Sequence, residues 1–372
     1  MIRVDVVVRS DADIKFGGDV HQVRQYEQHL AGRADLKVVA FHPAMTLRPD
    51  AVVHYVNVDR PFDFLRTVEL AGDRRIVVSP IHHSLPRTRR MRLAERGRGL
   101  RSLVDRIAPE AMREWLASGV RGAKSSPSRR ESMASAANSV RAIAQVPKLW
   151  ARVGRSLDRC SAVAVLASGE QRDLMVDTGW RGENARIIPN GKPGLSDVAD
   201  MWEWSKRPIS MITVGRIEPR KRSLELAQAA ASKDARIVFA GSLGDERSTY
   251  AQQFLNLAES SPTVDYRGSI SHDEVLRLMG QSRVLVNASW VEVQSLVDLE
   301  AAHLGTRVVS LPNGNSEEWL PDHVTYTPDF DLDQLVDTAT AAASTSVGPG
   351  APSYAWDWQR AADSLHALYL GS

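Results

Sequence analysis

Four short stretches of this chain hold residues that could handle an anionic ligand. Gly215-Arg216-Ile217-Glu218-Pro219-Arg220-Lys221 follows an apolar, β-branched run and opens a helical pattern. A cation at a helix N-terminus opposes the macrodipole, whose positive end lies there. Arg216 and Lys221 fit that place if an anion such as a diphosphate sits between them; otherwise they form a solvated basic loop. Glu292-Val293-Gln294-Ser295-Leu296-Val297-Asp298-Leu299-Glu300 follows another strand-like run. Ser295 reads as an N-cap, and the free N–H groups after it suit phosphate oxygens. Glu292 then falls in the loop and Glu300 in the helix, a spacing that chance also produces. Gly17-Gly18-Asp19 stands between a strand and a helix. Its glycines either admit a ligand close to backbone N–H groups or make a tight turn. Ser79-Pro80-Ile81-His82-His83 ends a strand, the place where open α/β sheets bind ligands. Either histidine there can donate to a phosphate or sugar hydroxyl, or be a satisfied surface residue.

Other features carry less. Asp329-Phe330-Asp331 has the spelling of a metal–diphosphate motif. It precedes a helix, though, and Asp331 with Gln334 three residues on reads as a cap. The single cysteine, Cys160, excludes an internal disulfide and reads as a core thiol in an apolar run. No Cys/His cluster has metal-site spacing, so no metal is expected.

The elements that must position these residues are parallel strands and covering helices. Apolar, β-branched runs occur at Ile2–Val8, Leu36–Phe41, Ala51–Val56, Arg75–Ser79, Ala162–Ala167 and Ala185–Ile188. A second series follows at Ile209–Val214, Ala235–Ala240, Thr263–Tyr266, Arg283–Asn287 and Thr306–Leu311. Runs apolar on both faces suit strands covered on each side, and the alternation with helical patterns predicts doubly wound α/β sheets. Ser168-Gly169-Glu170-Gln171 and Ser271-His272-Asp273-Glu274 read as capping boxes. A break is expected in Lys192–Pro208, where Pro193, Gly194 and Pro208 cluster, and a connector in Ala341–Pro352 before a last helix. The predicted domains are 1–192 with 353–372, and 193–352.

The stretch Arg87–Lys148 interrupts this rhythm as an insertion of helices and loop. Between Arg87 and Trp150 there are 15 Lys+Arg and 5 acidic residues, about +10, which leaves about −8 for the rest. That charge suits an anionic membrane face or a lipid-linked acceptor, or a solvated loop. Its only aromatics are Trp115 and Trp150, too few for stacking on bases, so no nucleic-acid partner is expected. No apolar stretch is long enough to span a membrane, and the N-terminus lacks a signal-peptide pattern. The expected place is the cytoplasm, peripheral at the inner face of the plasma membrane.

In their order, these pieces make a pattern. The chain resembles the retaining glycosyltransferases of family 4, from Lys15 to Tyr369 outside the insertion. The resemblance rests on Gly17–Gly18, His82–His83, Pro189-Asn190-Gly191, Gly215-Arg216 with Lys221, the E-x7-E pair Glu292 and Glu300, and the tail Trp356-Asp357-Trp358 to Tyr369. It implies an α/β GT-B fold: two Rossmann-like domains facing across a cleft, the C-terminal helix crossing back to the N-terminal domain. The first domain would bind the acceptor and the second the nucleotide sugar, UDP- or GDP-linked, with no cofactor.

By the same resemblance, Arg216 and Lys221 would bind the donor diphosphate and Glu300 its ribose. Glu292 would approach the transferred sugar, with His82 or His83 touching the sugar or its phosphate. Amides near Ser295, Leu296 and Val297 would reach phosphates or sugar, and Gly17–Gly18 the diphosphate. The reaction implied is transfer of a sugar to a glycan or lipid-linked acceptor, in cell-envelope or exopolysaccharide synthesis. Two departures bear on the donor sugar: Val293-Gln294-Ser295 stands where the family has Gly-Phe-Gly, and Arg222 where it has Gly after the lysine. A non-catalytic nucleotide-sugar-binding protein and a GT-B nucleotide-sugar epimerase are the alternatives.

Overall fold

The computed structural model describes residues 1–12, 17–94, 110–124, 129–194 and 202–371. Lys15, residues 95–109 and Ser125–Ser128 of the insertion, and residues 195–201 of the expected linker lie outside them. The chain divides into two compact units, Met1–Gly191 with Trp356–Ser372, and Lys192–Ala355. Residues 353–355 and Lys192 thus fall in the second unit rather than the first. Tyr354 gives one reason: its buried ring meets His303 and Trp319 edge-on, and its hydroxyl accepts from Gln294 Nε2 at 3.2 Å.

The first unit holds strands β1 (Ile2–Val8), β2 (Ala34–Ala40), β3 (Val52–Val56), β4 (Ile76–Ser79), β5 (Ala162–Val165) and β6 (Ala185–Ile187). They form one parallel sheet in the order β2-β1-β3-β4-β5-β6. The central strands β3, β4 and β5 are buried along their whole length, which is why their sequences are apolar on both faces. Phe62, Phe64, Leu149, Leu157 and Trp180 pack on one side of this sheet with Val53 and Tyr55.

The second unit repeats the plan with β7 (Ile209–Val214), β8 (Ile237–Ala240), β9 (Val264–Tyr266), β10 (Ser282–Asn287), β11 (Arg307–Ser310) and β12 (Val324–Tyr326). The order is β12-β11-β10-β7-β8-β9, again all parallel. Its core includes Phe254 set edge-on between Phe239 and Tyr266, at 5.1 and 5.2 Å between ring centroids. Strand order reverses between β1 and β3 in the first sheet and between β7 and β10 in the second. Beyond the carboxyl ends of strands at such a point, the diverging loops leave a crevice where ligands bind.

Helix ends follow local chemistry with one correction. Ser271 accepts from the Glu274 amide and Asp331 from those of Asp333 and Gln334, so Asp331 caps a helix. Ser168 does not begin a capping box. The helix Ser168–Thr178 starts one residue sooner, with Ala167 at its N-cap. Glu170 instead turns its carboxylate onto the amides of Leu166, at 2.6 Å, and His82, at 2.8 Å.

The terminal helix Trp358–Leu370 belongs to the first unit and packs on helix Gly18–His29. Trp358 lies edge-on to Tyr26, and the Tyr369 hydroxyl pairs with His54 Nδ1 at 2.8 Å. A Cβ on Gly191 would stand 2.2 Å from the Trp358 nitrogen, so only glycine fits there. The described part of the basic insertion consists of helices Leu85–Ala94, Glu110–Lys124 and Arg129–Ile143. No described helix is long and apolar enough to cross a membrane.

Candidate functional site

In the second unit, the β7 and β10 loops bring the basic stretch and the first glutamate together. Lys221 Nζ lies 2.5 Å from Glu292 Oε1, and Arg220 Nη1 3.5 Å from the same oxygen. Burial alone would raise the Glu292 carboxyl, but the Lys221 and Arg220 charges outweigh it and hold it down at about 2. The loop is fixed from its backbone: Glu292 N donates to Asn313 O at 2.8 Å, and Trp290 N to Arg220 O at 2.9 Å. Gly314 lets it approach, since a Cβ there would come within 3.0 Å of Glu292. Arg216 stands nearby in sequence but further out, 38% exposed, with its guanidinium 3.5 Å from Glu218.

The helix Leu296–His303 starts beside this pair. Ser295, buried, caps it by accepting from the Asp298 amide at 3.3 Å. Asp298 is itself buried, held by Asn287 at 3.0 Å and the Ser316 hydroxyl at 2.7 Å. Lys221, Asn287, Ser289, Ser295 and Val297 line one recess at the carboxyl ends of β7 and β10. The helix N-terminus and Lys221 are groups that attract an anion, and Asp298 shares the lining with them. Glu300 lies in the second turn, buried, with His272 Nε2 3.5 Å away. Burial pushes its carboxyl up to about 8.

Two residues show what the departures from the family pattern do. Arg222 takes the left-handed conformation, φ 53°, that a glycine adopts without strain. Its guanidinium covers the Trp290 ring at 4.3 Å and donates to Phe330 O at 2.9 Å, while Trp290 stacks on Phe330. The larger residue is therefore held by the Trp290 and Phe330 loops. Gln294, in place of the aromatic residue, is buried and turned to Tyr354.

In the first unit the carboxyl ends of β1, β3 and β4 carry the other candidates. Gly17 is the N-cap of helix Gly18–His29, and a Cβ on it would lie 2.9 Å from Asp19 Oδ1. Asp19 is locked by Arg9 at 2.6 Å and its Oδ1 accepts from the Val20 amide at 2.9 Å. Gly18 is exposed.

The two histidines have different fates. His82 has no exposed side-chain surface, and it donates from Nδ1 to Asp59 Oδ1 at 2.7 Å and from Nε2 to Asp177 Oδ2 at 2.9 Å. Burial would lower its pKa, but Asp59 and Asp177 win and raise it to about 10, so it is a buried imidazolium. With both nitrogens engaged it is not available to a ligand, which corrects its reading as a candidate contact. His83 is 26% exposed and donates from Nδ1 to Asp59 Oδ2 at 2.7 Å, leaving Nε2 as its second polar atom. Asp59 thus orients both rings. Ile81, just before them, has φ 44°, a strained value for a β-branched residue.

Sequence reasoning misses Asp59, Asp177, Glu170 and Arg220. Arg220 carries a signal, since it adjoins Lys221 in one basic loop. Asp59 carries only its place just beyond β3. Asp177 and Glu170 sit in helix Ser168–Thr178, far along the chain from the histidines they hold.

Comparison with known proteins bears on the fold. Residues 200–343 match the family model of the glycosyl transferases group 1. The phosphatidylinositol N-acetylglucosaminyltransferase gpi3 subunit of Schizosaccharomyces pombe is 27% identical over 161 residues, 42% of this chain and 35% of that protein. The matched stretch therefore spans about a third of that relative. Among solved structures, Anabaena Alr3699/HepE in complex with UDP and glucose superposes with a TM-score of 0.61 at 13% identity, covering 100% of this chain and 95% of that one. Sucrose-phosphate synthase from Thermosynechococcus elongatus gives 0.60 at 12%, covering 100% and 98%. These likenesses show the fold, which is GT-B.

Proposed function

We propose that the chain is a retaining, metal-independent glycosyltransferase that moves a hexosyl group from a nucleotide sugar to a glycan or lipid-linked acceptor. The observation that carries this reading is the Lys221–Arg220–Glu292 cluster at the strand-order reversal of the second sheet, beside the N-terminus of helix Leu296–His303. The match of residues 200–343 to glycosyl transferases group 1 supports it. The fungal relative is named for N-acetylglucosamine transfer, and HepE was solved with UDP and glucose. UDP-sugars are therefore the first donors to test, GDP-sugars the next.

In this reading the second unit holds the donor. Lys221, Arg216 and the amides at Leu296 and Val297 take the diphosphate. As the bond from the anomeric carbon to phosphate oxygen breaks, the electron pair goes to the diphosphate, and these groups stabilise the growing charge. Glu300 takes the ribose. Glu292, kept ionised by its two cations, accepts hydrogen bonds from hydroxyls of the transferred sugar; it is not assigned as a covalent nucleophile. The acceptor hydroxyl attacks from the face that the leaving group departs, and its proton passes to the leaving phosphate oxygen. In the first unit, which binds the acceptor, His83 offers Nε2 to a sugar hydroxyl, and Gly17–Gly18 offer backbone N–H groups to phosphate oxygens. The place of action is the inner face of the plasma membrane, in cell-envelope or exopolysaccharide synthesis. Release of UDP from UDP-sugars, with sugar incorporated into an acceptor, tests the reading. Activity in the wild type that is abolished in Glu292→Ala supports it; UDP binding without turnover on any acceptor would favour a binding protein.

A further inference from the structure

Exposed apolar side chains are unevenly distributed. Of the 15 large hydrophobic residues exposed among the described residues, seven lie between Leu93 and Ile143. Helix Glu110–Lys124 turns out Met112, Leu116 and Val120, at 39, 45 and 56% exposure and four residues apart, so on one face. Helix Arg129–Ile143 turns out Met133, Val140 and Ile143, at 68, 70 and 51%.

The opposite faces of the two helices are inward. Trp115 Nε1 donates to Ser139 O at 2.8 Å, and Ala142 is buried. Ser118, Arg121, Ser135 and Asn138 line a recess shared with Phe41, Pro43, Asp63 and Ser10, just beyond β1. The exposed apolar residues therefore point away from a packed underside, and the protein's own core does not use them.

Charge selects the occupant. The stretch Arg87–Trp150 carries 15 Lys+Arg against 5 acidic residues. Arg89 and Arg90 are exposed on helix Leu85–Ala94, and Arg141 is 63% exposed on helix Arg129–Ile143. Protein interfaces are rich in Tyr, Trp and Phe; residues 87–148 have no Tyr or Phe, and their Trp115 is turned inward. Aliphatic and methionine side chains among arginines are what an anionic lipid surface takes: apolar groups enter the acyl boundary and cations meet the headgroups.

We propose that helices Glu110–Lys124 and Arg129–Ile143 dock this protein on an anionic bilayer through Met112, Leu116, Val120, Met133, Val140 and Ile143. This rests on the membrane placement above and not on sugar transfer.

The test is sedimentation with vesicles of phosphatidylcholine alone and of phosphatidylcholine mixed with phosphatidylglycerol. Wild type should pellet with the anionic vesicles, less so as salt rises. Leu116→Glu with Val120→Glu, and Met133→Glu with Val140→Glu, should each partition about tenfold less. These positions are exposed, so the thermal midpoint and the shift caused by UDP should match wild type; that shift reads the donor site separately. Wild type left in the supernatant with anionic vesicles, or glutamate variants that pellet like wild type, would overturn the proposal. So would a concentration-dependent dimer, broken by the glutamates, in a protein that ignores vesicles.

Discussion

Lys221 and Glu292 lie 71 residues apart in sequence and meet at 2.5 Å where β7 and β10 part. The contact sets the charge state of the site, because the two cations hold the buried Glu292 carboxylate ionised near neutral pH. Replacing Glu292 with Gln strands Lys221 and Arg220 beside a neutral amide. Breaking such a buried pair costs about 3 kcal/mol. The Glu292 pKa is depressed from 4.5 to about 2, so its contribution is present above pH 4.5 and fades as pH falls toward 2. Urea denaturation should show Glu292→Gln less stable at pH 7, with the gap closing on acidification.

Asp59 is a positioning residue for His83. In Asp59→Asn the Nδ1 hydrogen bond loses its charged acceptor, and Nε2 loses its fixed direction. Sugar transfer should fall by about a hundredfold. The UDP-induced thermal shift should persist, because it reads the other unit. Equal transfer by Asp59→Asn would remove His83 from the mechanism.

Burial of the His82 imidazolium predicts loss of stability in alkali. Its pKa rises from 6.5 to about 10 on folding, so its contribution is complete below pH 6.5 and is lost as pH climbs toward 10. Denaturation midpoints measured between those limits should decline, and His82→Gln should flatten the slope while lowering stability at pH 6.5. An unchanged slope would mean that other groups titrate there.

Gly191 and Trp358 test the seat of the terminal helix. A Cβ 2.2 Å from the Trp358 nitrogen must displace that backbone, at a cost of about 2 kcal/mol in Gly191→Ala. Thermal unfolding should show a lower midpoint, and limited proteolysis should cut near Trp356 sooner than in wild type.

The sheets are legible in the sequence because buried parallel strands need β-branched residues on both faces, and eleven runs have them. β12 is missed because it is three residues long with one buried side chain, too short for a pattern. The E-x7-E pair and the basic loop can be read because each is a local string next to a strand. What brings Lys221 onto Glu292 is sheet order, which no local string contains. The choice between His82 and His83 is also hidden, since adjacent identical residues differ only by the carboxylates of Asp59 and Asp177 that tertiary folding delivers. Ser168 fails as a cap because the helix starts one residue sooner, with Ala167 at its N-cap.

The most direct measurement is a thermal-shift titration with UDP and UDP-sugars, then GDP and GDP-sugars, on wild type, Lys221→Ala and Arg216→Ala. A ligand that binds only the folded protein adds about 2.7 kcal/mol at a hundredfold excess over Kd. The account predicts a rise with one nucleotide class in wild type and its loss in Lys221→Ala, with Arg216→Ala weakened. No rise with any nucleotide, or a rise that Lys221→Ala retains in full, would contradict it.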